Sequence, residues 1–263
     1  MSVTVPFGTV LSYGVSLVTM IFLPWKYVFL TCGLILFAVS LIWLFGTQTL
    51  DLHKNTPKSE NTVNIKSSLK TLAVTGTVIL LVPIIVQGTL KDSVTQWVPE
   101  FFSSQFNSNT SFSLLLSMLL PIVNVTGAFF AKRVNDKLKN EVKTSALFFF
   151  IALVFLIVLF AFSSKSLVIS LVSMIMVTNC MFAVNVMLIT IVPLKFAKYG
   201  NVSTVAGLLN ATAYIGCAVA NQIAGGILYR STWNTVIIFW IILAIVAIAF
   251  CFIYSISKKE TSD

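Results

Sequence analysis

Charged residues are scarce in this sequence. They make up 10% of its 263 residues, whereas 57% of the residues are hydrophobic. A typical soluble domain carries about 25% charged residues. So few polar side chains could not cover a surface that faces water on all sides, which excludes a soluble protein. The sequence therefore predicts a protein whose partner is the lipid bilayer.

Histidine and cysteine are also rare. The single histidine, His53, stands in a polar stretch, and the four cysteines are each isolated within an apolar run: Cys32, Cys180, Cys217 and Cys251. The sequence has no CxxC spacing, so neither a metal site nor a disulfide framework is expected. We predict no metal and no cofactor, and we interpret each cysteine as a small residue of a membrane helix.

The signatures of nucleotide and enzyme chemistry are missing as well. The sequence contains neither GxxxxGKS/T nor GxGxxG, which disfavours ATP-driven transport by this chain. An intramembrane enzyme would need a cluster of acidic, nucleophilic and basic groups, and the apolar runs contain almost no acids. The net charge of +9 lies mostly in short loops, so no nucleic-acid partner is expected. We therefore predict a protein that is not an enzyme.

Long apolar runs dominate what is present. A membrane-spanning helix needs about 20 mostly apolar residues, and eight runs qualify: 5–23, 27–45, 72–98, 112–131, 144–162, 167–193, 205–228 and 236–255. A transmembrane barrel would instead show alternating segments of about ten residues. The first run has no basic residue before Lys26, so it is interpreted as a span and not as a signal peptide. The predicted fold is all-α and polytopic.

A polar stretch divides these runs into two groups. Residues 1–46 contain two predicted spans, residues 47–70 form a linker, residues 71–257 contain six spans, and residues 258–263 form a tail. If the linker is cytoplasmic, most of the 17 basic residues lie on the cytoplasmic side. This bias is typical of membrane proteins. It predicts a multi-pass protein of the cell membrane with both termini in the cytoplasm.

Four segments carry a family resemblance. In KDSVTQWVP, at 91–99, a basic residue is followed six positions later by Trp and then by x-Pro. The others are GAFFAKRVNDK at 127–137, AGLLNATAYIG at 206–216 and PWKYVF at 24–29. In this order they resemble the major facilitator superfamily, and within it the organophosphate:anion antiporter-like branch.

The resemblance implies that the eight spans correspond to helices five to twelve of that fold. Residues 1–46 would be the end of an N-terminal bundle, and residues 71–257 a complete C-terminal six-helix bundle. The implied function is secondary active transport of a small organic anion or phosphorylated metabolite by alternating access. Because helices one to four have no counterpart, the alternative is a non-transporting truncated fragment or a split-transporter subunit. Such a subunit would need a separate chain to supply them.

The clearest candidate for substrate binding is Lys91. Gln87, Lys91 and Thr95 share one i, i+4 row, a polar stripe that lipid would disfavour. The resemblance implies that Lys91 binds an anion, although Lys stands where Arg is usual and lacks its bidentate fork. Alternatively, Lys91 extends to the outer interface. We expect Asp92 to point about 100° away from Lys91 and not to pair with it.

Other candidates lie on other helices. Asn210 and Tyr214 belong to a polar row with Cys217 and Asn221, suited either to a substrate pathway or to interhelical hydrogen bonds. Asn124 has the same two interpretations, and Tyr13 is a cavity residue by the resemblance alone. A second row on the same helix is small enough to let another helix approach closely: Ala206, Ala213, Gly216, Ala220 and Ala224.

Overall fold

The computed structural model describes residues 4–49, 77–199 and 202–260. Within these ranges the regular structure is entirely helical, with 3₁₀ and π segments joining some of the α-helices. The α-helices are α1 Thr4–Phe22, α2 Lys26–Thr49, α3 Leu81–Gly88, α4 Val94–Phe106, α5 Thr110–Leu138, α6 Glu141–Phe162, α7 Leu167–Asn185, α8 Val202–Arg230 and α9 Trp233–Glu260. The predicted all-α fold is confirmed.

The predicted linker is described only at its start. Helix α2 continues to Thr49, three residues beyond the predicted boundary at 46. The remainder of the 47–70 segment lies outside the described residues, as do 71–76 at the start of the predicted six-helix bundle. The domain boundaries therefore stay a prediction.

In the described ranges, two spans contain π segments. The first runs from a 3₁₀ turn, Thr77–Leu80, through α3, a π segment Thr89–Ser93 and α4. The residues at these junctions keep right-handed helical backbone angles, so the chain forms one continuous rod. In the second, α7 is followed by a π segment, Val186–Ile191, and a 3₁₀ helix, Val192–Tyr199. Pro193 cannot donate a backbone hydrogen bond, which helps to end the regular helix there.

Side-chain caps allow tight connections between spans. The side-chain oxygen of Asn140 accepts hydrogen bonds from the backbone N–H groups of Val142 and Lys143 at the start of α6. Ser166 accepts one from Ile169 at the start of α7. Each cap satisfies donors that a helix start leaves without a partner. The connections from α5 to α6 and from α6 to α7 are accordingly short.

The surface fits a lipid environment. Large apolar side chains face outward around the bundle, among them Phe29 at 76% and Trp43 at 72% exposure. In the described part of the chain, seven helical runs are long and apolar enough to cross a membrane, and a shorter apolar helix, Phe7–Phe22, precedes them. The runs are Lys26–Thr47, Val78–Phe106, Thr110–Leu138, Glu141–Phe162, Leu167–Phe196, Val202–Arg230 and Trp233–Ser257. The chain is a multi-pass membrane protein.

The helices pack around two close contacts. Helix α6 lies against α7 and α9, α5 lies against α7 and α1, and α3 lies against α8 and α9, whereas α2 packs mainly on α1. A Cβ at Gly127 of α5 would stand 2.5 Å from the carbonyl oxygen of Asn179 of α7. A Cβ at Gly88 of α3 would stand 2.6 Å from the carbonyl oxygen of Ala213 of α8. Only glycine permits approaches this close.

The predicted small-residue row of α8 forms this second contact. Ala213, Gly216, Ala220 and Ala224 are buried, and Gly216 packs against Ile85 of α3. Ala206 is only half-buried. Small side chains let two helix backbones approach without a driving force from water, as membrane helices require.

The loops meet at two opposite ends of the bundle. At one end, Lys195 pairs with Glu141 at 2.5 Å, which joins the second 3₁₀ helix to the start of α6. At the other end, Ser163 donates to the side-chain oxygen of Asn234 at 2.8 Å. Lys195 thus shares an end with the basic α5–α6 loop, as the charge pattern predicts. Which end faces the cytoplasm stays a prediction.

Candidate functional site

Lys91 lies well inside its span. At least 13 residues of the helical run that includes Val78–Phe106 precede it and 15 follow it, so about 20 Å or more of helix lies on either side. Its side chain is 13% exposed. The ammonium nitrogen lies 5.8 Å from the ring centroid of Tyr214 on α8. This placement favours an internal cation over one that extends to the outer interface.

Asp92 corrects one expectation from the sequence. Its Oδ1 lies 3.4 Å from Nζ of Lys91, so the two adjacent residues form an ion pair. The expectation that they diverge assumed regular α-helix geometry. Both residues lie in the first π segment, whose wider i→i+5 turn reduces the angle between neighbours, and the long lysine side chain closes the remaining distance. The site is therefore a half-buried pair with no net charge.

Gln87 and Thr95 lie on the rod that carries Lys91. Gln87 is fully buried, and its amide nitrogen donates to the carbonyl oxygen of Met181 in α7 at 3.3 Å. The hydroxyl of Thr95 donates to the carbonyl oxygen of Lys91 at 2.7 Å. Both side chains thus use their donors within the protein, and Gln87 joins α3 to α7.

Tyr13 reaches the same region from α1. Its hydroxyl donates to the backbone carbonyl of Thr95 at 3.4 Å. Thr95 is one helical turn beyond Lys91, so α1 contacts the rod beside the cation. The structure thus brings Tyr13, Thr95, Lys91 and Tyr214 to one region of the fold.

The polar row of α8 divides into two parts. Asn210 and Tyr214 are exposed, Tyr214 by 52%, and Tyr214 contributes its ring to Lys91. Asn221 is instead engaged with α4, because its amide donates to Oε1 of Gln96 at 2.8 Å and its oxygen accepts from Nε1 of Trp97 at 3.2 Å. The first part can meet a solute, and the second joins two helices.

Asn124 lies in a contact between α5 and α7. It is buried, and its side-chain oxygen accepts from the hydroxyl of Thr178 at 3.1 Å. Beside it, the amide of Asn179 donates to the carbonyl of Val123 at 2.8 Å and to the hydroxyl of Thr126 at 2.9 Å. The structure supports the helix-joining interpretation of Asn124 more than direct contact with a solute.

Sequence reasoning missed the pairing of Asp92 and the bond between Trp97 and Asn221. For Asp92 the missing information was the π segment, because an extra residue in a helical turn leaves no trace in an apolar run. A signal was available for Trp97, since an indole N–H removed from water within a span needs an acceptor. Asn221 is an acceptor at a matching depth on a neighbouring span.

Comparison with known families identifies the fold. The family model for the Major Facilitator Superfamily matches residues 1–221, which is most of the chain. Among curated proteins, no sequence matches it. Proteins of this superfamily are generally transporters of small solutes and not enzymes. The chain therefore belongs to the major facilitator superfamily of membrane transporters.

Proposed function

We propose that this chain is a secondary transporter of a small organic anion or phosphorylated metabolite, and that it works by exchange across the plasma membrane. The observation that carries the proposal is the position of Lys91. A lysine inside a span, only 13% exposed and directed at Tyr214, is a cation kept inside the bundle. Intramembrane charges of this kind commonly mark a substrate pathway.

The energetic argument favours an anion. Removing an ammonium group from water costs several kcal/mol, and a nearby negative charge recovers part of that cost. Asp92 does so in this structure, and a substrate phosphate or carboxylate would do so in the loaded state. The absence of a bidentate fork on lysine favours recognition of charge over recognition of one fixed anion geometry.

The other candidate residues divide by role. Tyr214 and Asn210, both exposed on α8, would contact the solute together with Lys91. Tyr13 and Thr95 would fix the position of the rod relative to α1. Gln87 and Asn124 would act indirectly, by holding α3 and α5 against α7.

Alternating access would move the α1–α2 pair relative to the other helices. Helix α2 packs mainly on α1, and α1 packs mainly on α5, so the α1–α5 interface is the main one that such a motion would change. The π segment beside Lys91 offers a place where the rod can change its winding, as such segments often do at functional sites. Both termini would lie in the cytoplasm.

A transport assay with one matched control tests the proposal. The full chain is reconstituted in liposomes, and uptake of labelled inorganic phosphate, glycerol phosphate and small carboxylates is measured. Lys91→Gln should abolish uptake of the transported anion. Lys165→Gln, which removes an exposed lysine from a loop, should leave it unchanged. Normal uptake by Lys91→Gln would refute the assignment.

A further inference from the structure

We propose that Asp92 is a proton-binding site, and that an anion occupies Lys91 only while Asp92 carries a proton. The inference deepens the proposed function and rests on it, because it assumes that the substrate anion binds Lys91. It adds a proton that binds together with the anion, so that exchange would move the two as a pair.

The protein covers most of the surface of the Lys91–Asp92 pair. Oδ1 of Asp92 lies 3.4 Å from Nζ of Lys91, and the two side chains are 26% and 13% exposed. In this setting each charge is the main neutralising partner of the other. A half-buried ion that loses its partner is strongly disfavoured, because little water replaces the lost interaction.

An arriving anion disturbs this balance. If it binds Lys91 while Asp92 is ionised, two negative charges share one cation at close range, and like charges that share a site disfavour joint ionisation. A proton from solution removes the conflict by converting the carboxylate of Asp92 into a carboxylic acid. Lys91 remains an ammonium ion and now pairs with the anion. When the anion leaves, Asp92 releases the proton and the original ion pair forms again.

Few other groups could take this proton. The first π segment packs against α3, α4, α7 and α8. The titratable groups on these helices are Tyr214 and Cys217 on α8, Cys180 on α7 and Glu100 on α4, together with Tyr229 and Arg230 at the exposed end of α8, 15 or more residues beyond Tyr214. Glu100 is exposed and lies eight residues, about 12 Å, along the helix from Asp92. Asp92 is therefore the carboxylate in direct contact with the cation.

Proton uptake on binding tests the proposal. The purified full chain in lipid nanodiscs is titrated with inorganic phosphate by calorimetry, in buffers that differ in protonation enthalpy. The wild type should take up about one proton more per bound phosphate than Asp92→Asn, a comparison in which the protons of phosphate itself cancel. As the pH rises through the alkaline range, the phosphate affinity of the wild type should fall by about tenfold more per pH unit than the affinity of Asp92→Asn.

Two further variants make the result specific. Asp92→Glu keeps a carboxylate and should retain the extra proton, even if Asp92→Asn folds poorly. Glu100→Gln removes an exposed carboxylate of the same rod and should behave as the wild type. If the wild type and Asp92→Asn took up equal numbers of protons while both bound phosphate, the proton-binding role of Asp92 would be overturned, but the proposed function would not. Absence of phosphate binding to the wild type would instead overturn the proposed function, and this inference with it.

Discussion

The indole nitrogen of Trp97 in α4 donates a hydrogen bond to the side-chain oxygen of Asn221 in α8 at 3.2 Å. The same asparagine donates to Gln96 at 2.8 Å, so one side chain of α8 is bonded to two consecutive residues of α4. The ring of Trp97 also meets that of Trp233 edge-on, at a centroid distance of 6.1 Å. Three helices are thereby joined beyond the turn that carries Lys91.

A double-mutant cycle should detect the contribution of this hydrogen bond to the free energy of unfolding. Trp97→Phe and Asn221→Ala should each lower the unfolding free energy in detergent. The double variant should lose less than the sum of the two single losses. Interhelical hydrogen bonds in membranes average about 0.6 kcal/mol and reach about 1.7 kcal/mol. Thermal or denaturant unfolding measures the coupling energy.

The control cycle replaces Asn221→Ala by Asn210→Ala. Asn210 lies on the same helix but 11 residues, roughly 16 Å, away from Asn221. Trp97→Phe and Asn210→Ala should therefore be additive. Additivity in the Asn221 cycle would show that the hydrogen bond contributes nothing.

The contact at Gly88 predicts a second stability effect. A methyl group there would stand 2.6 Å from the carbonyl oxygen of Ala213, which is backbone and cannot move aside alone. Gly88→Ala should force α3 and α8 apart and lower the unfolding free energy by about 1–3 kcal/mol. Gly207→Ala on α8 is the matched control, because nothing lies within 4 Å of its added methyl group. Equal stabilities for the two variants would contradict the close contact.

Much of this architecture follows from the sequence, for a physical reason. The lengths of the apolar runs correspond to the spans because lipid forces each backbone segment to satisfy its own hydrogen bonds as a helix. The small residues of α8 predict that another helix can approach it closely, because few other side chains allow such an approach, and in the structure that helix is α3. The basic α5–α6 loop and Lys195 share an end because positive charges are held on one side of a membrane.

The arrangement around Lys91 was only partly predictable. The sequence singles out Lys91, yet it gives no sign that a π segment turns Asp92 toward it. The sequence leaves the two roles of Asn221 balanced, because its partners Gln96 and Trp97 are more than a hundred residues away. Pairing between distant spans depends on how helices rotate against each other, which apolar periodicity does not specify when a helix is apolar on most of its faces.

The orientation of the bundle is open to a labelling test. A cysteine introduced at Lys137, in the exposed end of α5, should react with an impermeant maleimide only after cells are permeabilised. A cysteine at Lys165, at the opposite end, should react in intact cells. Both variants need Cys32→Ser, because the other three native cysteines are buried. The reverse pattern would show that the basic loops face outward.

The ring of Tyr214 should contribute to anion binding through Lys91. A cation over an aromatic face is stabilised by about 0.5–2 kcal/mol. Tyr214→Ala removes the ring and should weaken phosphate binding by about 2- to 30-fold, because Lys91 is no longer held at the face of α8. Tyr214→Phe keeps the ring face and should bind phosphate nearly as well as the wild type. If Tyr214→Phe were as impaired as Tyr214→Ala, the hydroxyl and not the ring would be the contacting group, and the contact to Lys91 at 5.8 Å would be incidental.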